Sequence, residues 1–252
     1  MSLGQRATQI EVAPKKTSAV LEIKGMAFGY PGAKPLLEDI TMTLNAGDVV
    51  VINGRDGSGK STLLKLMAGI YTPTEGDLQV GGYAPVHLPA RELVQRVGLL
   101  SGQGSIFRGT IRDNLTCFGE IDEAAAMAVA DRLSIREDVA RLPAGFDTHL
   151  EGIVTDAISP GLKQRIAIAR VLAAQPSLIL FDNAEQALDQ KGCEQLYALL
   201  QELASRAAIV IVAEDKYFQQ LAEKFFVLHE GHLHADRFQQ QRQEHADKGG
   251  VK

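Results

Sequence analysis

The sequence predicts an α/β fold built around a mainly parallel sheet. Three observations support this: short and almost continuous apolar runs, helical segments that separate them, and a glycine-rich loop between one such run and a helix. Runs without polar alternation, such as Asp48–Asn53 and Leu178–Phe181, are expected of strands covered on both faces. Strands of this kind that alternate with helices indicate a parallel sheet, because the connection between parallel strands is usually a helix.

The first part of the chain is predicted to supply three strands and one helix. Val20–Tyr30 alternates apolar and polar residues, which is typical of a half-buried strand. A turn at Pro31-Gly32 separates it from the next strand. The predicted elements in this part are the strands Val20–Tyr30, Asp39–Leu44 and Asp48–Asn53, the glycine-rich loop Gly54–Lys60, and the helix Ser61–Ala68.

The second part of the chain is predicted to contain an inserted helical lobe at about 105–160. Its pattern is helical from about Thr110 to Ala157, Ala-rich over Ile121–Leu133, and broken at Pro143-Ala144-Gly145. Residues 1–18 are expected to form a linker or tail and 239–252 a polar tail, which leaves 19–238 as one domain. The other predicted elements are the strand Val97–Leu100, the helix Gln164–Ala174, the strand Leu178–Phe181, the helix Lys191–Ala204, the strand Ala208–Val212, the helix Lys216–Lys224, and a hairpin of Phe225–Leu228 with His232–His234.

Composition narrows the classes of function. The chain has 252 residues, of which 45% are hydrophobic and 23% charged, and this balance suits a globular domain with a sizeable core. Its net charge of −5 gives no indication of nucleic-acid binding. Cys117 and Cys193 form no redox or metal motif and are expected to be reduced. No apolar run reaches the length of a membrane span, so any membrane region is expected outside this sequence.

The glycine-rich loop matches the phosphate-binding pattern G-x-x-x-x-G-K-[ST]. Glycines let backbone N–H groups approach a phosphate closely, and the following helix adds a favourable dipole. Lys60 is predicted to supply a positive charge for the β- and γ-phosphates, and the Ser61 hydroxyl is placed to ligate Mg²⁺. The predicted nucleotide-binding residues of this loop are Gly54, Arg55, Asp56, Gly57, Ser58, Gly59, Lys60, Ser61 and Thr62.

A carboxylate at the end of an apolar strand is predicted to complete the magnesium site. Leu178-Ile179-Leu180-Phe181 is followed directly by Asp182. An acidic residue in this position can hold the Mg²⁺ shell beside the phosphate-binding loop. Four apolar residues followed by Asp are common, but the combination with the loop is specific.

Several segments together resemble the nucleotide-binding domains of ATP-binding cassette (ABC) transporters of the exporter type. The resemblance covers about Val20 to Asp236. The segments that carry it are Phe28-Gly29-Tyr30-Pro31, similar to the A-loop; Ile158-Ser159-Pro160-Gly161-Leu162-Lys163-Gln164-Arg165-Ile166-Ala167-Ile168-Ala169-Arg170, similar to the signature LSGGQxQRIAIAR; Gln186-Ala187-Leu188-Asp189, similar to the D-loop; and the exporter-like segments Phe107–Leu115 and Leu142–Thr148.

The resemblance implies a P-loop NTPase core with an antiparallel β subdomain and an inserted helical subdomain. It further implies that Tyr30 stacks on the adenine of ATP, that Mg²⁺ is the second cofactor, and that Ser159 and Gly161 contact the nucleotide of a partner cassette in a head-to-tail dimer. The expected partners are this second nucleotide-binding domain and the transmembrane domain of a transporter, which the region of Phe107–Leu115 faces in the family. The expected location is the cytoplasmic face of the cell membrane.

Positions that serve hydrolysis in the family depart from its pattern. The residue after Asp182 is Asn183 where the family has Glu, the base that activates water; Glu185, two residues on, is an alternative base. Glu214 occupies the position of the H-loop histidine. The Q-loop glutamine would fall at Gly102, with Gln103 one place later as an alternative Mg²⁺ ligand. The signature carries Pro160 and Leu162 in place of Gly and Gln.

Binding of Mg·ATP with impaired hydrolysis is therefore the prediction from the sequence. A working but variant ATPase remains the alternative for the chemistry. For the biological role, the alternative is a soluble ABC-type ATPase that acts on nucleic acid or ribosomes, against which the acidic charge and the single cassette argue. A P-loop kinase is opposed by the signature segment.

Overall fold

A six-stranded sheet lies at the centre of the chain in the computed structural model, which describes residues 19–102, 104–150 and 158–236. Its strand order is β5-β6-β7-β3-β8-β9, and every pairing is parallel except that of β8 with β9. A second sheet of three antiparallel strands has the order β2-β1-β4. The strands are β1 Leu21–Phe28, β2 Leu37–Leu44, β3 Val49–Asn53, β4 Glu75–Val80, β5 Val97–Ser101, β6 Leu178–Asp182, β7 Ala208–Val212, β8 Lys224–His229 and β9 His232–Ala235.

Eight α-helices connect and cover these strands within the described residues. They are α1 Lys60–Met67, α2 Ala90–Arg96, α3 Ile111–Thr116, α4 Glu123–Arg132, α5 Ile135–Val139, α6 Pro160–Ala173, α7 Gln190–Leu203 and α8 Lys216–Gln219; 3₁₀ turns lie at Pro85–His87 and Gly145–Asp147. None of the helices in the described ranges is long and apolar enough to cross a membrane. The predicted α/β fold with its parallel core and its antiparallel sheet is confirmed.

The parallel strands are apolar throughout because the sheet has a separate core on each face. In β3, Val49 and Val51 belong to the core beneath α6 and α7, whereas Val50 and Ile52 belong to the core shared with α1 and the antiparallel sheet. The strands β6 and β7 divide their side chains between the two cores in the same way. Side chains alternate across a strand, so burial on both faces requires apolar residues at every position.

The helical lobe consists of α3, α4 and α5, which pack against α6. The helix α3 begins with a capping box, in which Thr110 accepts a hydrogen bond from the Asp113 N–H and Asp113 accepts one from the Thr110 N–H. Arg165 on α6 donates to the carbonyl of Leu133 at 3.0 Å and pairs with Asp138, so it ties the lobe to the core. The predicted helical insertion is therefore present, although it is made of short helices.

The helix α6 begins at the segment that resembles the ABC signature. Ser159 is its N-cap and accepts a hydrogen bond from the Leu162 N–H at 3.2 Å, while Pro160 is the first helical residue. Proline is tolerated there because the N–H of that position has no partner inside the helix. Pro160 therefore leaves the start of the signature helix intact.

One predicted helix is wrong in extent, and three elements lie outside the sequence prediction. The helix expected over Lys216–Lys224 is α8, which ends at Gln219. Lys224 instead begins β8, where it pairs with Val50 of β3 and its ammonium contacts Asp48 at 2.5 Å. Strand pairing with the central sheet therefore overrides the local helical pattern. The elements β4, α2 and the 3₁₀ turn at Pro85–His87 were not predicted, and the tails at 1–18 and 239–252 lie outside the described residues.

Candidate functional site

A cleft of about 680 Å³ opens at the carboxyl ends of β3 and β7. Parallel strands of an α/β sheet present their carboxyl ends at one edge, which is where ligands bind in open sheets of this class. Tyr30 lies at one end of the cleft, and Asn183 and Glu214 belong to loops after β6 and β7. The residues that line the cleft are Tyr30, Ala33, Lys34, Leu36, Ile52, Asn53, Gly54, Asp56, Gly57, Gly59, Lys60, Ser61, Thr62, Asn183, Val212, Ala213, Glu214 and Gln219.

The glycine-rich loop wraps around the ammonium group of Lys60. Lys60 Nζ donates to the carbonyl oxygens of Gly54 at 2.8 Å and Arg55 at 2.9 Å, so its charge is held at the mouth of the loop. Gly57 and Gly59 have φ angles of 74° and 103°, in a region that favours glycine, and Gly59 is the N-cap of α1. The loop thus directs the N-terminus of α1 into the cleft, which is the geometry that binds a phosphate.

The remaining loop residues occupy different positions around this cradle. Arg55 is exposed and is not among the described residues that line the cleft, whereas Asp56 is one of them. The hydroxyl of Ser58 is buried without a hydrogen-bond partner in the described structure. Ser58 is not among the described residues that line the cleft, so its predicted contact with a nucleotide stays a prediction.

The hydroxyl of Ser61 and the carboxylate of Asp182 meet directly. Ser61 Oγ donates to Asp182 Oδ1 at 3.0 Å, although the two residues are separated by 121 positions in sequence. Together they offer a hydroxyl and a carboxylate oxygen at one point, which suits a hard cation such as Mg²⁺. No cluster of three or more His, Cys, Asp or Glu that could hold a metal occurs in the described part of the chain. Gln103 lies outside the described residues.

Tyr30 lines the cleft and is anchored by two aromatic neighbours. Its ring makes edge contacts with Phe28 at 5.1 Å and Tyr71 at 5.8 Å between centroids, and its hydroxyl lies 3.0 Å from Thr62 Oγ1. The side chain nevertheless keeps 40% of its surface exposed. A fixed and partly exposed aromatic ring provides a surface on which a planar base can stack.

Asn183 and Glu214 lie at the floor of the cleft on neighbouring strand ends. Asp182 pairs with Val212 in the sheet, and the Asn183 N–H donates to the Val212 carbonyl at 2.8 Å. Asn183 adopts a left-handed conformation, with φ of 49°, and its side-chain Oδ1 is buried without a partner in the described structure. A neutral amide can orient a water molecule but cannot accept its proton as a carboxylate does.

Glu185 is buried apart from this cleft. Its side chain is 7% exposed, it is not among the described residues that line the cleft, and its Oε2 has no hydrogen-bond partner there. Burial raises the pKa of Glu185, and the nearby carboxylates of Asp215 and Glu214 raise it further. The sequence proposed Glu185 as an alternative base; the structure instead directs it into the interior.

The signature residues lie away from the cleft of their own chain. Ser159 is exposed at the start of α6, and neither Ser159 nor Gly161 lines the cleft. A Cβ added at Gly161 would lie 3.3 Å from the carbonyl oxygen of Ala187, so the signature helix packs closely against the segment 186–189. These two segments therefore form one surface of the chain.

Three residues in or beside the site were given no role from the sequence. Lys34 lines the cleft beside Tyr30, and Gln219 lines it near Asn53. Gln219 Nε2 donates to the Ala213 carbonyl at 2.9 Å, which fixes the loop that carries Glu214. Gln164 is buried beneath the floor of the site. Its place in the signature-like segment was the only signal that could have identified it.

Sequence comparisons with known proteins give matches over most of the chain. The family model described as ABC transporter matches residues 37–186. The chain is 32% identical over 226 residues to antigen peptide transporter 2 of Rattus norvegicus, covering 88% of this chain and 32% of that protein. It is 28% identical over 228 residues to an ATP-dependent lipid A-core flippase of Pseudomonas aeruginosa, covering 88% of this chain and 37% of the flippase.

A solved structure extends the match to the fold. It is described as the structure of a bacterial Atm1-family ABC exporter with ATP bound, and it superposes with a TM-score of 0.77 at 27% identity. The match covers 98% of this chain and 46% of the exporter chain. The chain thus spans about a third of the length of the two curated relatives and about half of the solved exporter.

Replacement of Glu185 by Gln is expected to stabilise the chain more at neutral than at acidic pH. The folded-state pKa of Glu185 is raised, so the folded chain holds this proton to a higher pH than the unfolded chain, and wild-type stability falls as pH rises between the two pKa values. The Gln variant does not lose this stability, which amounts to about 1.4 kcal/mol for each unit of difference between the folded and unfolded pKa values. Thermal unfolding at pH 4.5 and pH 7.5 measures the stability of both proteins.

The control variant for this experiment is Glu194→Gln, which removes one negative charge from the exposed face of α7. The advantage of the Glu185→Gln variant over this control should increase from pH 4.5 to pH 7.5. An advantage that stays constant or decreases over this range would contradict the assignment of a raised pKa to Glu185.

Proposed function

The chain belongs to the ABC transporter family as an exporter-type nucleotide-binding domain, and on this basis we propose that it binds Mg·ATP, couples this binding to transport across a membrane, and hydrolyses ATP slowly. The proposed location is the cytoplasmic face of the membrane. The whole transporter would include a transmembrane domain outside this sequence. The acidic net charge and the similarity to transporters give no support to the alternative role on nucleic acid or ribosomes.

The single observation that carries the proposal is the contact between Ser61 and Asp182 at 3.0 Å beside the Lys60 loop. It brings together a phosphate cradle and a cation-binding pair in one cleft that also has an aromatic ring, Tyr30, at its far end. These residues fit a nucleotide with its magnesium ion: Tyr30 for the base, the N-terminus of α1 and Lys60 for the phosphates, and Ser61 with Asp182 for the ion. The bound Mg²⁺ would neutralise charge on the phosphates.

Slow hydrolysis follows from the side chains at the phosphate end of the cleft. Asn183 stands where a carboxylate would accept the proton of the attacking water, and a positioned base typically contributes about 10²–10⁴-fold to the rate. Glu214 adds a carboxylate to this end of the cleft, which repels a γ-phosphate if it stays charged. Glu185, the alternative base, is buried and is not among the described residues that line the cleft.

The exposed signature supports a head-to-tail dimer as the working form. Ser159 and Gly161 lie outside their own cleft, so they can act on a nucleotide only if it is held by a second cassette. In a homodimer, both sites would combine Asn183 and Glu214 with a signature that contains Pro160 and Leu162. In a heterodimer, one site would carry Asn183 and the other would receive this chain's signature. Slow turnover is therefore expected in both arrangements.

An apolar groove provides the proposed docking site for the transmembrane domain. Its volume is about 780 Å³, and it lies between α2 and the loop that follows β5. Val94 and Phe107 keep 51% and 42% of their surface exposed in it, and Ile70 keeps 57%. Large exposed apolar side chains that cluster in a groove indicate a surface covered by another protein segment. Phe107 begins the exporter-like segment that faces the membrane domain in the family.

Replacement of Lys60 by Ala should weaken Mg·ATP binding about 10–100-fold, because one charge-assisted contact is worth about 1.5–3 kcal/mol. Isothermal titration of the purified chain measures the affinity. Lys65→Ala, on the same helix but outside the cleft lining, is the control and should keep wild-type affinity. Unchanged affinity in the Lys60 variant would rule out the glycine-rich loop as the phosphate site.

Replacement of Tyr30 by Ala should reduce ATP affinity about fivefold, since stacking on adenine is worth ~1 kcal/mol. The matched variant Tyr30→Phe keeps the ring and removes only the hydroxyl that contacts Thr62, and it should retain most of the affinity. Titrations of the two variants separate the two contributions. If both variants lose affinity equally, the hydroxyl rather than the ring is responsible.

Replacement of Asn183 by Glu should raise kcat for ATP by about 10²-fold while the affinity for ATP changes little, because it restores a proton acceptor at the strand end. Asn183→Gln is the matched control, since it has the length of Glu but remains neutral. Steady-state phosphate release measures kcat of the two variants. No rise in the Glu variant would point to Glu214 or the altered signature as the block, which the double variant Asn183→Glu with Glu214→His separates.

Turnover of the unmodified chain is the complementary measurement. Rates typical of hydrolysing enzymes, at or above about 10 s⁻¹, would contradict the proposed impairment. In that case, loss of turnover in Glu185→Gln or Glu214→Gln would identify the residue that acts as base.

A further inference from the structure

Gln164 is a buried amide that joins three parts of the chain. Its side chain lies on α6 and is 2% exposed. Nε2 donates to the carbonyl oxygens of Ser101 and Ala184, both at 2.8 Å, and Oε1 accepts from the Gly104 N–H at 2.7 Å. Both N–H donors are thus used, and all three contacts start from a side chain that is almost fully shielded from water.

Two of these contacts lie at strand ends beside the nucleotide cleft. Ser101 is the last residue of β5 and pairs with Asp182, and Ala184 follows Asn183, which lines the cleft. The Gly102 N–H donates to the carbonyl of Asp182, the last residue of β6, at 3.0 Å, so the loop after β5 is bonded to the end of β6 directly and to the loop after β6 through Gln164. A Cβ at Gly102 would lie 2.6 Å from the Asn183 carbonyl oxygen, which shows how closely the two loops pack.

The third contact leads towards the apolar groove. From Gly104 the chain runs along α6 to Phe107, and Arg170 of α6 holds this segment at its far end. Arg170 Nη2 donates to the Ser105 carbonyl at 2.8 Å, and its guanidinium lies 4.1 Å from the centre of the Phe107 ring. Segment 104–107 is therefore fastened to α6 by Gln164 at one end and by Arg170 at the other, with Phe107 in the groove.

We infer that Gln164 is a positioning residue that couples the state of the nucleotide cleft to the position of segment 104–107 in the groove. The inference rests on the proposed binding of Mg·ATP in the cleft. A shift of the backbone at Asn183 or Ala184 either breaks a buried hydrogen bond of Gln164 or moves the amide with it. The amide then moves Gly104, because the Gly104 N–H is bonded to the same side chain. Packed, fully bonded contacts of this kind transmit displacements between discrete arrangements.

The test compares wild-type chain with Gln164→Glu. Glu has the same shape and keeps an acceptor for Gly104, but it has no N–H groups: as a carboxylate it donates to neither Ser101 nor Ala184, and as a protonated acid it donates to one of them at most. The matched control is Gln195→Glu, which alters a partly buried amide on α7 that donates to Ser134 Oγ at 2.6 Å. Hydrogen exchange of the peptide that contains 104–107 is measured by mass spectrometry with and without saturating Mg·ATP, after titration has established the affinity of each variant.

In the wild type and in Gln195→Glu, Mg·ATP should change the protection of 104–107 by about fivefold or more, within the usual range of coupling between sites. In Gln164→Glu this ratio should fall to near one, while ATP affinity stays within about twofold because the cleft lining is intact. If Gln164→Glu does not fold, as thermal unfolding would reveal, Gln164→Met replaces it with the same criterion.

Two results would overturn the inference and one would overturn its premise. If exchange in Gln164→Glu rises equally with and without nucleotide, so that the ratio is unchanged, Gln164 has only a structural role. If Mg·ATP does not change the hydrogen exchange of 104–107 in the wild type, the cleft and this segment are not coupled. If the wild-type chain does not bind Mg·ATP in the titration, the proposed function fails and the inference fails with it.

Discussion

Burial of the parallel sheet on both faces is the constraint on which the rest of the structure depends. The strands β3, β6 and β7 have no polar face, so their connections must cross above or below the sheet as helices, and the loops that leave their carboxyl ends meet at one edge. Ser61 and Asp182 are neighbours for this reason, although the chain places the whole helical lobe between them. The cleft is therefore a consequence of how the core is covered.

The side chains proposed for nucleotide binding and those at the positions proposed for hydrolysis lie at the same edge of the sheet. The groups that would hold a nucleotide (the glycine-rich loop, Lys60, Ser61 and Asp182) are present and in mutual contact. At the positions proposed to limit hydrolysis, Asn183 has a buried oxygen without a partner in the described structure, and Glu214 places a carboxyl group in the cleft. The proposed binding and the proposed turnover would use different atoms at the same edge, so a chain can keep the first while the second declines. This separation would make the proposed nucleotide-dependent conformational role compatible with the proposed slow chemistry.

The helix α6 connects the parts of the molecule that such a role requires. Its first turn carries the signature, its second turn carries Gln164, which bonds to the loop after β6, and Arg170 near its end reaches the groove. The proposed coupling would use this helix as the rigid element between these points, since it lies in a close-packed core. The short helices α3 to α5 add a second attachment through Arg165, which keeps the lobe in register with the same helix.

The sequence by itself determined the parallel core, the phosphate-binding loop and the family, because these depend on local patterns: apolar runs of strand length, glycines at fixed spacing and one continuous signature segment. It failed where long-range pairing competes with local preference, as at Lys224, which joins β8 through its pairing with β3 instead of extending α8. It also gave no role to Gln164, because a glutamine on a helix has the same sequence signal whether it faces water or a buried loop. Only the tertiary structure decided that, and it likewise decided that Glu185, close in sequence to the site, is buried: how far a side chain after a strand end is exposed depends on what packs around it in the fold.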